Sequence, residues 1–303
     1  MKWRVLFSLG VCLFLAGASL AFAQHEPAMG PPKVLRIFCE EVKPGKTAQH
    51  ERNESAWAQA FVRTKYPARI LAMTSVSGPS QAWFLEGHDS MASAEKTNQF
   101  VEKNAAVKTE FDQLSARDGE YLSGSHEILA TYRPELSYRP GGINIGEYRY
   151  FYVTTVRVRP GHTEDFVQST KLVRDAHEKA DVPEHWAVYQ VSLGMPGPTY
   201  LIFQPLKSLA EVDAFPETHG KTFQDALGDE GRKHLGELES AATYSRETNV
   251  FAFNPSMSYV AQEVAASDPT FWTPKPAGKA VAKATAKPAA EGKKEVKQPV
   301  TKP

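Results

Sequence analysis

Histidine is the first residue type to ask about chemistry in this 303-residue chain, because imidazole serves both as a metal ligand and as a general base. His25, His50, His88, His126, His162, His177, His185, His219 and His234 include no His-Glu-x-x-His pair. Cys12 falls in an N-terminal segment read below as cleaved, and the one remaining cysteine, Cys39, cannot complete a Cys/His quartet. His177 and His185 are eight apart, and a shared metal is geometrically conceivable there. However, His177 aligns with Phe61, and His50 with Phe166, in a repeat described below, so both histidines read as packed on apolar helix faces. No metal site is expected. Nucleophile signatures are also missing. There is no Gly-x-Ser-x-Gly elbow, no Ser-x-x-Lys with the rest of the β-lactamase set, and no Gly-rich phosphate loop ending in Gly-Lys-Ser/Thr. The glycine-rich run Gly194–Pro198 carries two prolines, which remove the N–H donors that a phosphate cradle needs.

One constellation survives this search. In the first strand, Leu35, Ile37 and Cys39 alternate with Arg36, Phe38 and Glu40; in its later counterpart, Phe151, Val153 and Thr155 alternate with Tyr152, Thr154 and Val156. The more apolar register is expected under helices. Arg36, Glu40, Tyr152 and Thr154 are then expected in a space between two sheets, joined from the second strands by Arg69 with His185 and Met73 with Tyr189. An Arg36–Glu40 ion pair there would orient a polar ligand. Arg36, Glu40, Tyr152, Thr154, His185 and Tyr189 are therefore the candidate ligand-binding residues.

The elements that must position them come from an internal repeat. Residues Val34–Gly78 lie over Tyr150–Gly194 at a constant offset of 116, with seven identities in 45 positions. Val42-Lys43-Pro44-Gly45-Lys46-Thr47 matches Val158-Arg159-Pro160-Gly161-His162-Thr163. Pro67 matches Pro183, and Gly78 matches Gly194. Pro-Gly marks a strand-to-helix turn in both copies, with Thr47 and Thr163 at the N-cap position. Each copy reads as strand (Val34–Val42; Tyr150–Val158), helix to about Thr64 or Ala180, strand (69–76; 185–192), strand (81–85; 200–204), a helical region, and a closing strand (125–132; 245–253). The second helical region is expected to break near 216–220.

That order, β-α-β-β-α-β, is the ferredoxin-like split motif. Its antiparallel sheet carries helices on one face only. Two copies in one chain can bury their bare faces together, giving an α+β barrel, an intramolecular pseudo-dimer. The expected units span 34–138 and 148–260, joined by the Gly/Pro-rich linker 139–147. With its strand–Val-x-Pro-Gly–helix openings, the chain resembles the dimeric α+β barrel superfamily, which includes antibiotic-biosynthesis-monooxygenase-like, NIPSNAP-like and haem-handling members. The resemblance implies a barrel and allows cofactor-independent oxygenation, isomerisation or haem binding. It carries over no catalytic residue, because fold does not fix function.

The ends carry their own information. Lys2 and Arg4, an apolar run from Val5, and Ala21-Phe22-Ala23 read as a signal peptide cleaved at Ala23/Gln24, and the mature chain is expected to be periplasmic or secreted. Residues 24–33 read as a mobile lead-in, and 261–303 as a Lys/Ala/Pro-rich disordered tail. The formal net charge of +0 hides +2 over 1–23 and +6 over 275–303, leaving an acidic middle. That excludes a nucleic-acid-binding reading, while the basic tail suits an anionic envelope surface. No later segment reads as membrane-spanning. After cleavage Cys39 is the lone cysteine, expected to be a buried strand residue. The resulting expectation is an exported small-molecule-binding or interaction protein with no identified cofactor. The alternatives are a cofactor-independent monooxygenase or isomerase using the barrel cavity, or a haem binder.

Overall fold

The computed structural model describes residues 30–141, 143–218 and 220–273. The expected signal peptide, Cys12, the lead-in residues 24–29 and the tail from 274 onward lie outside the described residues.

Along the chain the elements are β1 (Val34–Val42), α1 (Thr47–Thr64), β2 (Ile70–Ser75), β3 (Gln81–His88), α2 (Met91–Lys103), α3 (Ala105–Tyr121), β4 (Leu122–Tyr132), β5 (Tyr150–Val158), α4 (Thr163–Ala180), β6 (Ala187–Leu193), β7 (Thr199–Leu206), α5 (Ala210–Thr218), α6 (Lys221–Ala242), β8 (Thr243–Phe253), α7 (Gln262–Ser267) and α8 (Pro269–Trp272). Both Pro-Gly turns do what their composition predicts. Gly45 (φ +76) and Gly161 (φ +87) adopt the left-handed conformation that ends each strand and starts each helix. The expected caps shift by one residue: Lys46 and His162 hold the N-cap positions, neither with a side-chain cap bond.

All strand pairings are antiparallel, and they close into a barrel in the order β1-β3-β2-β8-β5-β7-β6-β4. Strands β1–β4 form one half and β5–β8 the other. The halves join at β2–β8 (Met73 opposite Phe253) and β4–β6 (Tyr132 opposite Tyr189). A glycine permits each approach. A Cβ on Gly78 would stand 2.2 Å from Asn249 Oδ1 of β8, and one on Gly194 would stand 2.0 Å from the Glu127 carbonyl oxygen of β4. A larger residue at Gly194 would displace the β4 backbone, and one at Gly78 would displace the Asn249 side chain.

Three apolar clusters follow from this topology. The barrel interior holds Leu35, Ile37, Cys39, Met73, Trp83, Leu85, Phe151, Val153, Leu201, Phe203, Phe251 and neighbours. Phe61, Tyr66, Phe84, Phe111 and Leu114 pack between the first half's sheet and α1 and α3. Val156, Phe166, Trp186, Val188 and Tyr200 do so beneath the second half's helices.

The expected facing is therefore inverted. Leu35/Ile37/Cys39 and Phe151/Val153 point into the barrel, whereas Arg36/Phe38/Glu40 and Tyr152/Thr154/Val156 lie on the helix side. The physical reason is dryness. Ile37, Met73 and Leu201 on the barrel side are fully buried, so an Arg or Glu in their register would lose its hydration, whereas Arg36 and Glu40 reach partners on the helix side. The first part of the expected tail is also ordered: α7 and α8 return to the barrel end, where Trp272 is 4% exposed and donates Nε1–H to the Gly146 carbonyl at 2.9 Å. Likewise residues 30–33 of the lead-in sit on that end, where the Pro32 carbonyl accepts the Tyr189 hydroxyl.

Cys39 is buried, 2% exposed, and burial pushes its thiol pKa upward. The thiolate is the reactive form. A chain beginning at Gln24 is expected to react with Ellman's reagent at pH 8 at least a hundredfold faster in 6 M guanidinium than folded; equal rates would show an accessible thiol.

Candidate functional site

The first half encloses a cavity of about 840 Å³ between its sheet and α1, α2 and α3. Aromatic rings form much of its wall: Phe38 and Phe84 from the sheet, Trp57 and Phe61 from α1, Phe111 from α3, and Tyr66. Among them stand the carboxylates Glu40, Glu54, Glu86 and Asp118. Arg36 is the basic residue of the lining.

These charges are held by specific partners. Glu40 Oε2 lies 2.7 Å from His50 Nε2, across the β1–α1 interface. His50 is 2% exposed and Glu54, one helical turn on, is 4% exposed. Glu54 Oε1 has no hydrogen-bond partner. Asp118 on α3 accepts from Asn53 Nδ2 at 2.6 Å and from Trp57 Nε1 at 2.9 Å, which ties α3 to α1. Burial pushes the Glu40 carboxyl above its ordinary range, a rise that the His50 hydrogen bond opposes. Burial, reinforced by the charges of Glu40 and Asp118 and by a carboxyl–carboxylate hydrogen bond with Asp118, pushes Glu54 well above the usual carboxylate range. Deeper in, Glu86 accepts from Tyr66 Oη at 3.1 Å and Thr97 Oγ1 at 3.2 Å, and lies 2.6 Å from His88 Nε2.

The structure splits the sequence candidates. Arg36 and Glu40 share the cavity but do not pair. Arg36 donates to both Glu127 oxygens at 2.9 Å and to Asn98 Oδ1 at 2.7 Å, while Glu40 takes His50. The expected Arg36–Glu40 pair is thus corrected: the two stand four residues apart on one face of β1, with Phe38 between them, and each finds a nearer partner on a neighbouring element. Tyr189 lines a different, mainly apolar cavity of about 520 Å³ at the barrel end. Tyr152 packs edge-on against Phe215 at 5.2 Å, and Thr154 Oγ1 lies 3.0 Å from Thr248 Oγ1; neither borders the larger cavity. His185 Nδ1 is 2.8 Å from the Arg139 carbonyl, outside both. His50, Glu54, Trp57, Glu86 and Asp118 are site residues that sequence reasoning missed. His50 is a packed helix-face residue as expected, but it is packed onto a carboxylate. The available signal was the repeat itself: Glu40, His50 and Glu54 align with Val156, Phe166 and Thr170.

Haem, which the sequence resemblance raises, does not suit this cavity. His50 and His88 each have Nε2 against a carboxylate, and propionates would meet five carboxylates, Glu102 included, with Arg36 already bound to Glu127.

Comparisons with known proteins give fold likeness. No protein-family model and no curated protein matches. Among solved structures, an anthrone oxidase-like protein is 13% identical, with a TM-score of 0.49 over 73% of this chain and 91% of the other. A proposed monooxygenase from Fusobacterium nucleatum is 12% identical, with a TM-score of 0.47 over 73% of this chain and 91% of its own. A mutant chlorite dismutase from Candidatus Nitrospira defluvii is 10% identical, with a TM-score of 0.45 over 74% and 93%. At such identities and TM-scores they say nothing of this chain's activity. The α+β barrel assignment rests on the chain's own closed strand pairing. Among the described residues no helix is long and apolar enough to cross a membrane.

Proposed function

We propose that this protein binds a small, ring-bearing organic molecule with hydrogen-bond donors, in the cavity beneath α1, α2 and α3. The carrying observation is the composition of that cavity: flat aromatic walls with carboxylates set among them, in a volume of about 840 Å³. Rings offer stacking area, and buried carboxylates reward a ligand that brings O–H or N–H groups. The divergence of the halves supports the same reading. We take the two β-α-β-β-α-β runs to be a duplicated ferredoxin-like unit, with the polar site kept in the first copy and replaced in the second by the Val156, Phe166 and Thr170 side chains. In this reading the second copy is a scaffold that closes the barrel. We also retain export, with cleavage at Ala23/Gln24, and a basic tail that meets an anionic envelope surface.

Turnover is the second reading, and the Glu40–His50 contact of 2.7 Å favours it. Glu40 borders the cavity with His50 buried behind it, so a substrate proton would be taken at the Glu40 carboxylate and held by the pair, as an isomerase or a cofactor-independent oxygenase requires.

The probe that tests the binding reading is 4-methylcatechol, which has a flat ring and two hydroxyl donors. Isothermal titration of EDTA-treated protein is expected to show one saturable site. Benzoate, which sets a carboxylate against carboxylates, is expected to bind at least tenfold more weakly, a difference of about 1.4 kcal/mol. No saturable catechol binding, or benzoate binding as tightly, would overturn this reading.

A further inference from the structure

We propose that Glu40, His50 and Glu54 form a binding site for a first-row divalent cation at the wall of the α1–α3 cavity. Each residue offers one ligand atom, and the three atoms lie within 4.8 Å of one another. The ligands come from two elements packed against each other: Glu40 from β1, and His50 with Glu54 from α1. A spacing of four residues puts both helix ligands on one face, one above the other.

Donor chemistry narrows the ion. One imidazole with two carboxylates suits Zn²⁺ or Mn²⁺, and it offers far fewer oxygens than Ca²⁺ requires. Three protein ligands also leave coordination positions for water or a bound oxygen donor, as open catalytic sites do and closed structural sites do not.

A second observation points to the same occupant. Glu54 is 4% exposed, and its Oε1 is buried with no hydrogen-bond partner. Buried carboxylate oxygens are normally matched, and an unmatched one is costly. A cation ligated by this oxygen satisfies it. Asp118 stands apart from the ligand set, because both its oxygens already accept, from Asn53 and Trp57. It braces α1, which carries two of the ligands. In the second half the aligned residues Val156, Phe166 and Thr170 include neither imidazole nor carboxylate.

The cation's functional meaning rests on the cavity being the ligand site, but its binding is measured without any organic molecule. Full-length, untagged protein is stripped with EDTA and dialysed against Zn²⁺, Mn²⁺, Co²⁺ or Ca²⁺, and bound metal is counted by mass spectrometry. The expected result is one Zn²⁺, Mn²⁺ or Co²⁺ per chain, with Co²⁺ giving visible d–d bands that Zn²⁺ abolishes, and less than a tenth of an equivalent of Ca²⁺. Glu54→Gln, which keeps size and shape, is expected to weaken Co²⁺ binding at least tenfold with an unchanged far-ultraviolet circular dichroism spectrum. His50→Phe, which installs the residue found at the aligned position, is expected to do the same. A parent that retains no ion, or a folded Glu54→Gln variant that binds Co²⁺ as the parent does, overturns the proposal. Saturable 4-methylcatechol binding to stripped protein that takes up no ion removes the cation and keeps the cavity reading. One bound ion without catechol binding removes that reading and keeps the cation site.

Discussion

A chain ending at Arg139 is expected to lose the monomeric state altogether. Its β2 and β4 would be open edges, because their outer partners β8 and β6 belong to the second half. Its sheet would also expose Leu35, Ile37, Met73, Trp83, Leu85 and Ile128, which are now inside the barrel. Unpaired edges and a contiguous apolar face both drive association. One soluble outcome is open to it: a symmetric dimer in which β2 of each copy takes β4 of the other, reproducing the two native junctions with a twofold axis. Light scattering after size-exclusion chromatography is the measurement. Dimers or aggregates are expected, and a cooperative, soluble monomer would show that the halves do not depend on one another.

Trp272→Ala is expected to have the largest effect of any single substitution at the barrel end. The indole is 4% exposed, donates to the Gly146 carbonyl at 2.9 Å, and lies with its ring centroid 6.2 Å from Phe253 and 5.0 Å from Phe271. Asp268, which caps α8, is ion-paired with Arg149. The close fit is visible at Gly146, where a Cβ would stand 2.0 Å from Ser267 Oγ and 2.4 Å from the Val264 carbonyl oxygen. Truncating a buried tryptophan costs about 3–5 kcal/mol. At roughly 2–4 °C per kcal/mol for a domain of this size, the melting temperature should fall by about 6–20 °C. A chain ending at Thr273 keeps all these contacts and is expected to melt within about 1 °C of the parent, on the ordinary scale of surface changes. A fall of several degrees on that truncation, or less than 2 °C for Trp272→Ala, would contradict the assignment.

Strand and helix limits are legible where punctuation is strong: Val-x-Pro-Gly marks the ends of β1 and β5, and it places the starts of α1 and α4 to within one residue. Facing was not legible, because both faces of β1 and β5 carry bulky side chains, and alternation separates faces without saying which one meets helices. Arg36 and Glu40 suggested a polar site, and they do border one, but on the opposite side of the sheet. His50 was passed over for the reason that makes it interesting. Alignment with Phe166 marks a buried helix position, and a buried histidine needs a partner, which Glu40 supplies from ten residues earlier. Residues 261–273 look like the start of a tail by composition, yet Trp272, Phe271 and Val264 with the Arg149–Asp268 ion pair dock them.

The covalent tie between the halves changes how the barrel responds to dilution and to mutation. Two separate chains would close such a barrel only above their dissociation constant. Joined through residues 139–147, the sheets meet at an effective concentration on the order of millimolar, whatever the bulk value. The unfolding midpoint should therefore stay fixed over a thousandfold dilution. One chain also means that a substitution enters the molecule once rather than twice. A carboxylate that creates a costly, useful hole under α1 need not be suffered under α4, so one side of the barrel is free to gain chemistry while the other keeps the whole standing.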